Sequence, residues 1–171
     1  MAVPVHSASA MDVWGRYRSV HVHLMSLLAR ELHRATGLSE ADYQILDALL
    51  DAPGHRARAL ELRWTLQWEK SRLSHHVARM VARGLLDRRT CSEDARGLDL
   101  VLSAAGQEAA RQARRVREDS LRRIVFDTLG PEHIANLASA TALLAERFDR
   151  MAQDDPDGLA AYAEVMGERP E

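Results

Sequence analysis

The stretch EKSRLSHHVARMVARG, residues 69–84, concentrates Lys70, Arg72, His75, His76, Arg79 and Arg83 on one amphipathic segment. Leu73, Val77, Met80 and Val81 recur every three or four residues, the spacing that lines one face of an α-helix. Gly84 supplies the stop, because glycine takes a left-handed conformation at little cost. On this phase the apolar residues face a core. Lys70, Ser71, Ser74, His75 and Arg79 face away from it, with Arg72 on a flank. The basic side must meet water, an acidic partner or a nucleic acid.

The charge distribution narrows that choice. Formal net charge is −2, yet residues 54–96 hold ten Lys/Arg against five Asp/Glu. A basic middle inside an acidic surround can focus a field on a polyanion. Chance asymmetry on a solvated surface would produce the same totals, so charge alone does not decide.

Composition sets the outer limits. A chain of 171 residues buries a real core and suits one domain, or one domain with an extension. Ala, Leu, Arg and Glu dominate and β-branched residues are few, which favours helix. The one cysteine, Cys91, excludes an internal disulfide and a cysteine-cluster zinc site. No apolar run approaches a membrane span and no signal-peptide pattern opens the chain, so a cytoplasmic protein is expected.

Upstream of the basic segment, Trp14, Tyr17, Val20, Leu24, Leu27 and Leu28 mark a first helix from residue 11 to about 34, which Gly37 ends. Ser39 and Asp42 form a capping box with a short acidic partner, opening a second helix whose stripe is Tyr43, Leu46, Leu49 and Leu50. DAPG (51–54) is a turn, a short helix follows at about 58–64 with Leu60 and Trp64 packed, and TLQW (65–68) is a tight connection.

Downstream, LLDRRT and LDLVLS flank the polar CSEDARG, and Leu98, Leu100 and Leu102 alternate. Two antiparallel strands with a projecting loop are expected. A long helix from 104 to 129 then carries Ala109, Ala113, Val116, Ser120 and Ile124 as its stripe. Its other faces hold Arg111, Arg114, Arg115, Arg117, Arg122 and Arg123. Gly130-Pro131 breaks it and starts a last helix striped by Ile134, Leu137, Thr141, Leu144 and Phe148.

The middle order is therefore helix, turn, helix, hairpin. A helix of about four turns fits a B-DNA major groove, and helix-turn-helix proteins place their second helix there. Lys70, Ser71, Arg72, Ser74, His75 and Arg79 suit base edges and phosphates, with base contacts expected near the helix start. Arg88 and Arg89 on the first strand and Arg96 near the loop tip add a second contact, a basic side chain there suiting the minor groove. Asp94 would repel phosphate, so its expected role is internal, bracing the loop.

These features together resemble the MarR family of winged helix-turn-helix regulators. The resemblance rests on EKSRLSHHVARMVARGLLDRR (69–89), DARG (94–97), LVLSAAG (100–106) and, upstream, LSEADYQILDALLDAPG (38–54), and it spans about residues 13–148. It implies a mainly α fold with a small β-hairpin wing. Residues 39–103 form the winged helix-turn-helix domain, 11–38 and 104–150 a helical dimerisation region, and 151–171 a C-terminal extension. It further implies a homodimer that binds an inverted-repeat operator in double-stranded DNA and usually represses. Ser71, Arg72, Ser74, His75 and Arg79 take the recognition-helix positions, and Asp94 and Arg96 the wing-stabilising Asp-x-Arg. Many members carry arginine where this chain has Ala95, so the resemblance does not carry over that arginine's extra phosphate or tip contact. The apolar terminal helices point to a twofold mate independently, since so small a wing domain cannot bury all of their seams. A self-contained helical bundle is the alternative.

Many members of this family bind small aromatic or phenolic effectors between the DNA-binding lobe and the dimerisation helices. Trp14, Tyr17, Arg18 and His21 are candidate lining residues; packing of Trp14 and Tyr17 in a dimer core is the competing role. No cofactor or metal is expected. Asp154, Asp155 and Asp157 lack the ligand and glycine spacing of a calcium loop. His75 and His76 are adjacent and cannot share a helix face, and no catalytic constellation emerges. Cys91 lies at the wing, away from the first-helix position of the family's peroxide-sensing cysteines, and reads as a bystander thiol. A non-specific architectural DNA binder and a helical protein-interaction module remain the alternative functions.

Overall fold

The computed structural model describes residues 9–90 and 98–154. Helix α1 (Ala10–Thr36) begins at a capping box in which the Ser9 hydroxyl accepts the Asp12 N–H and the Asp12 carboxylate accepts the Ser9 N–H. It ends at Gly37, whose φ of 71° lets its N–H turn back to the His33 carbonyl. The same box, Ser39 with Asp42, opens α2 (Glu40–Asp51), so the short aspartate does cap. Ile45, Leu46 and Leu49 of α2 form the centre of the core.

A tight turn (Pro53–His55) leads into strand β1 (Arg56–Arg58), then α3 (Ala59–Leu66), α4 (Lys70–Ala82), β2 (Leu86–Thr90) and β3 (Leu98–Leu102). Helix α5 (Ala104–Leu121) runs into a π-turn (Arg122–Phe126), where the Asp127 N–H reaches the Arg122 carbonyl at 2.8 Å. Helix α6 (Pro131–Asp154) starts at the proline expected to open it.

The sheet has three strands, ordered β1-β3-β2 and antiparallel throughout. The two-stranded expectation omitted β1, which covers the second edge of β3 and satisfies backbone groups that would otherwise lie open. Ala57, Leu86, Leu100 and Leu102 face the core, where α4 and α5 close over them.

Three expectations need correction. Trp68, read as part of a connection, is a core residue only 3% exposed. Gln67 makes the reversal at φ 55°, and the Trp68 N–H then bonds the Arg63 carbonyl, dropping the indole inward. In α3 the buried positions are Leu62 and Arg63, while Leu60 and Trp64 are half-buried. The α5 stripe is Gly106, Ala110, Ala113, Arg117 and Ser120, so Arg117 lies inside rather than on a solvated face.

The amino-terminal half of α1 and nearly all of α6 stay uncovered. Trp14, Tyr17, Val20, Leu144 and Phe148 are each at least half exposed.

Candidate nucleic-acid interface

Helix α4 is seated by Leu73, Val77 and Met80, all at most 3% exposed, with Val81 partly covered. Its opposite side leaves Lys70, Ser71, Arg72, Ser74, His75 and Arg79 exposed. A helix held by one stripe projects the complementary stripe as a rigid unit, here about 20 Å long at 1.5 Å per residue. That stripe combines cations with short hydroxyls, donors and acceptors matched to base edges and phosphates.

Arg83 leaves this face. Its guanidinium pairs with Asp42 at 2.7 Å, so the last arginine of the basic stretch ties the end of α4 to the start of α2. Burial pushes the Asp42 carboxyl up, but bonds from Ser39 and Arg83 outweigh it and hold the group below its ordinary range. His76 also turns inward, half-buried with its ring 5.3 Å from Trp68. Burial holds its imidazole below the ordinary value, and His75, Arg79 and Arg72 act in the same direction against Asp42.

Arg88 and Arg89 are both exposed, but neighbours in a strand point to opposite faces. Arg88 pairs across with Leu100 on the core-side face, beyond the edge of the core. Arg89 stands on the outer face opposite Asp99, on whose other side β1 places Arg58. Asp94, Arg96, Ala95 and Cys91 lie outside the described residues, as do Asp155 and Asp157.

On α1 the rings of Trp14, Tyr17 and His21 follow one another at 5.4 and 5.9 Å along an exposed face, and Arg18 is exposed too. A separate open groove, which sequence reasoning missed, lies between the carboxyl half of α1 and the start of α2, lined by Ser26, Arg30, His33, Arg34 and Glu40. Trp68 was missed as well, although its spacing of four from Arg72 and eight from His76 is a signal. Among the described residues no helix is long and apolar enough to cross a membrane, and no group of His, Cys, Asp or Glu is placed to hold a metal ion.

Residues 36–97 match the sequence model of the MarR family. Sco3205 of Streptomyces coelicolor, a MarR family transcriptional regulator solved in complex with DNA, is 33% identical, with 82% of this chain and 93% of that one covered at a TM-score of 0.75. AbsC, a MarR family regulator from the same organism, is 32% identical over 83% of this chain and 97% of its own, with a TM-score of 0.70. The organohalide-sensing regulator RdhR-CbdbA1625, solved with 2,4-dichlorophenol bound, shares the fold at a TM-score of 0.68 but only 18% identity, over 86% and 89% of the two chains. No curated protein matches the sequence.

Proposed function

This chain belongs to the MarR family of winged helix-turn-helix, DNA-binding transcriptional regulators, and from that premise we propose that it acts as a homodimeric repressor reading an inverted-repeat operator through α4. One observation carries the reading. The side of α4 turned away from the core presents Lys70, Ser71, Arg72, Ser74, His75 and Arg79 together, while the remaining arginine of the segment is bound to Asp42. Ser71, Arg72 and His75 near the helix start are assigned to base edges, and Lys70, Ser74 and Arg79 to positioning on the backbone. Arg88, Arg89 and Arg96 of the wing are assigned to the flanking groove, with Asp94 and Arg96 bracing the loop.

The division of labour follows the exposed surfaces. Residues 39–103 are the DNA-binding domain, and 11–38 with 104–150 the dimerisation region. The support is the apolar surface of α6, where Leu137, Leu143, Leu144, Phe148 and Met151 are 46–64% exposed in a single chain. A contiguous apolar surface of this kind marks an interface. A twofold mate would present two reading helices about 34–36 Å apart, one turn of duplex. Leu144→Asp is expected to yield a folded monomer in analytical ultracentrifugation and to weaken operator binding by about 100-fold or more, because the second half-site no longer adds its avidity. A dimer that survives this change at the same concentration counts against the assignment of α6.

Selection from a random duplex pool tests the central claim. Enrichment of one inverted repeat is expected, and Arg72→Ala should then lower affinity for it by about 5- to 150-fold, the range of a lost bidentate base contact of about 1–3 kcal/mol, while binding to unrelated duplex changes far less. A pool that yields no motif, with affinity tracking salt alone, would identify an architectural binder. Reporter expression in a strain without the gene gives the regulatory sign. The ligand-bound relative supports a small aromatic or phenolic effector, for which the α1 residues Trp14, Tyr17, Arg18 and His21 are the proposed contacts. Such a ligand shifts DNA binding only if it prefers one spacing of the two reading helices.

A further inference from the structure

We propose that Trp68 is a positioning residue for DNA reading, its buried indole forming a fixed platform that holds the Arg72 guanidinium in the pose α4 offers to the groove. The inference rests on the assignment of α4 as the reading helix. The Arg72 guanidinium carbon lies 4.0 Å from the Trp68 ring centroid. The indole is 3% exposed and its position is fixed before α4 begins, by the Gln67 reversal and by the Trp68 backbone N–H bonded to the Arg63 carbonyl. His76, one helical turn beyond Arg72, places its ring 5.3 Å from the same indole. Trp68 thus carries two side chains of α4, one turned to solvent and one turned in.

The kind of partner matters. Arg83, Arg114, Arg117 and Arg123 are each held by a carboxylate, which occupies guanidinium N–H donors. Among the described residues Arg72 forms no ion pair; it is held by an aromatic face. Stacking restrains the guanidinium plane through its π surface and leaves the in-plane N–H fork open to a guanine edge or a phosphate. Holding a long side chain in its bound pose beforehand removes part of the ordering cost of binding. A carboxylate at the same place would neutralise the charge and block the donors. The indole does neither.

The test uses full-length protein and the operator recovered by selection. Trp68→Phe keeps a buried ring with a weaker face, and Trp68→Leu removes the face. Each is assayed below its own unfolding transition. Discrimination between the operator and a duplex altered at the base pair sensitive to Arg72→Ala is expected to fall about two- to fivefold in Trp68→Leu, the size of an exposed cation–π contact, with Trp68→Phe between it and the parent. Binding to unrelated duplex should stay level. In the Arg72→Ala background neither change should reduce discrimination further. Independently of DNA, the Arg72 δ-methylene proton signals should lie upfield in the parent through the indole ring current and move back in Trp68→Leu.

A ring-current shift that disappears without any change in discrimination overturns the positioning role and leaves the DNA-reading assignment intact. Equal losses of discrimination in the parent and Arg72→Ala backgrounds, or parent Arg72 signals at ordinary positions, also overturn it. If the parent protein selects no motif at all, the reading-helix assignment fails and takes this inference with it.

Discussion

Gly106→Ala is expected to destabilise the protein strongly, against the preference of its helix. The residue sits in the first turn of α5, where alanine would ordinarily be favoured by about 1 kcal/mol. A Cβ at this position would lie 2.0 Å from the Leu85 carbonyl oxygen and 3.0 Å from its carbon. That carbonyl cannot retreat cheaply. It accepts the Ser103 N–H at 3.2 Å, and next to it the Gly84 carbonyl accepts the Ser103 hydroxyl at 2.6 Å. Ser103 is also the N-cap of α5, so the chain leaving α4, the end of β3 and the start of α5 meet at one backbone-to-backbone contact. The loss should reach at least the upper end of the roughly 1–3 kcal/mol typical of overpacking. Equilibrium urea unfolding at fixed protein concentration measures it, since any self-association makes the midpoint concentration-dependent. An unchanged or raised midpoint would mean that α5 docks differently at this corner.

Gly106 also shows which parts of the molecule could be read in advance. The glycine stood in the quoted motif LVLSAAG, but its cause is an approach between segments far apart in sequence, which no local pattern reports. Helix α4 was legible because its anchors follow helical spacing and its exposed side carries polar residues with only the small Ala78 and Ala82 among them; Leu73, Val77 and Met80 lie where the periodicity placed them. Strand β1 was not legible. Arg56–Arg58 is only three residues long, with one small apolar residue and no β-branched ones, and it is a strand because β3 offers an unpaired edge. Trp68 escaped because a reversal without glycine, proline or asparagine leaves little signature; Gln67 adopts the left-handed conformation, helped by its side-chain amide donating to the Trp64 carbonyl at 2.8 Å. The phase of α5 was misjudged because arginine is normally counted outward. The six candidates on α4 all stand exposed, Arg72 included, which was expected on a flank, whereas the wing-tip pair Asp94 and Arg96 lies outside the described residues. On α1, periodicity marked a stripe of which Leu28 is buried while Trp14, Tyr17, Val20 and Leu27 stand exposed in the single chain.

The misjudged arginine belongs to a series that fastens α5 to the helices before it. Arg114 reaches Asp47 at 2.7 Å and Asp51 at 2.8 Å, and those carboxylates push its guanidinium further toward the charged form. Arg117 pairs with Glu40 at the first position of α2, and Arg123 reaches Glu31 of α1 at 2.8 Å. The Ser120 hydroxyl donates to the same Glu31, and this bond, with Arg123, outweighs burial and holds the carboxyl below its ordinary range. In the proposed division the Arg114 and Arg117 pairs cross from the DNA-binding domain to the dimerisation region, so their strength would govern how firmly α4 follows that region, whereas the Glu31 contacts join α1 to the end of α5 and the segment after it, within that region.

Glu40→Ala is accordingly expected to have the largest effect on stability among the ion pairs. The Arg117 side chain is 8% exposed, against 26% for Glu40, so removing the carboxylate strands the more deeply buried charge. What remains beside it is the Tyr43 ring, 4.7 Å from the guanidinium carbon. Tyr43 cannot replace the lost anion, because burial and the neighbouring Asp47 push its phenol up to about 12. The Arg117 Nε is buried and has no hydrogen-bond partner among the described residues, so the environment holds little reserve for the charge. Breaking a buried pair from one side costs about 3–5 kcal/mol. For a chain of this size that is a fall in Tm on the order of 10 °C. Arg117→Met should cost much less, since it leaves only a partly solvated carboxylate and fills most of the same volume. The double variant should lie close to Arg117→Met alone, because without the guanidinium there is no buried charge for Glu40 to neutralise. Thermal unfolding of the three variants at equal concentration checks the order. A Glu40→Ala protein as stable as the parent, or a double variant as damaged as Glu40→Ala, would show that Arg117 does not depend on this carboxylate.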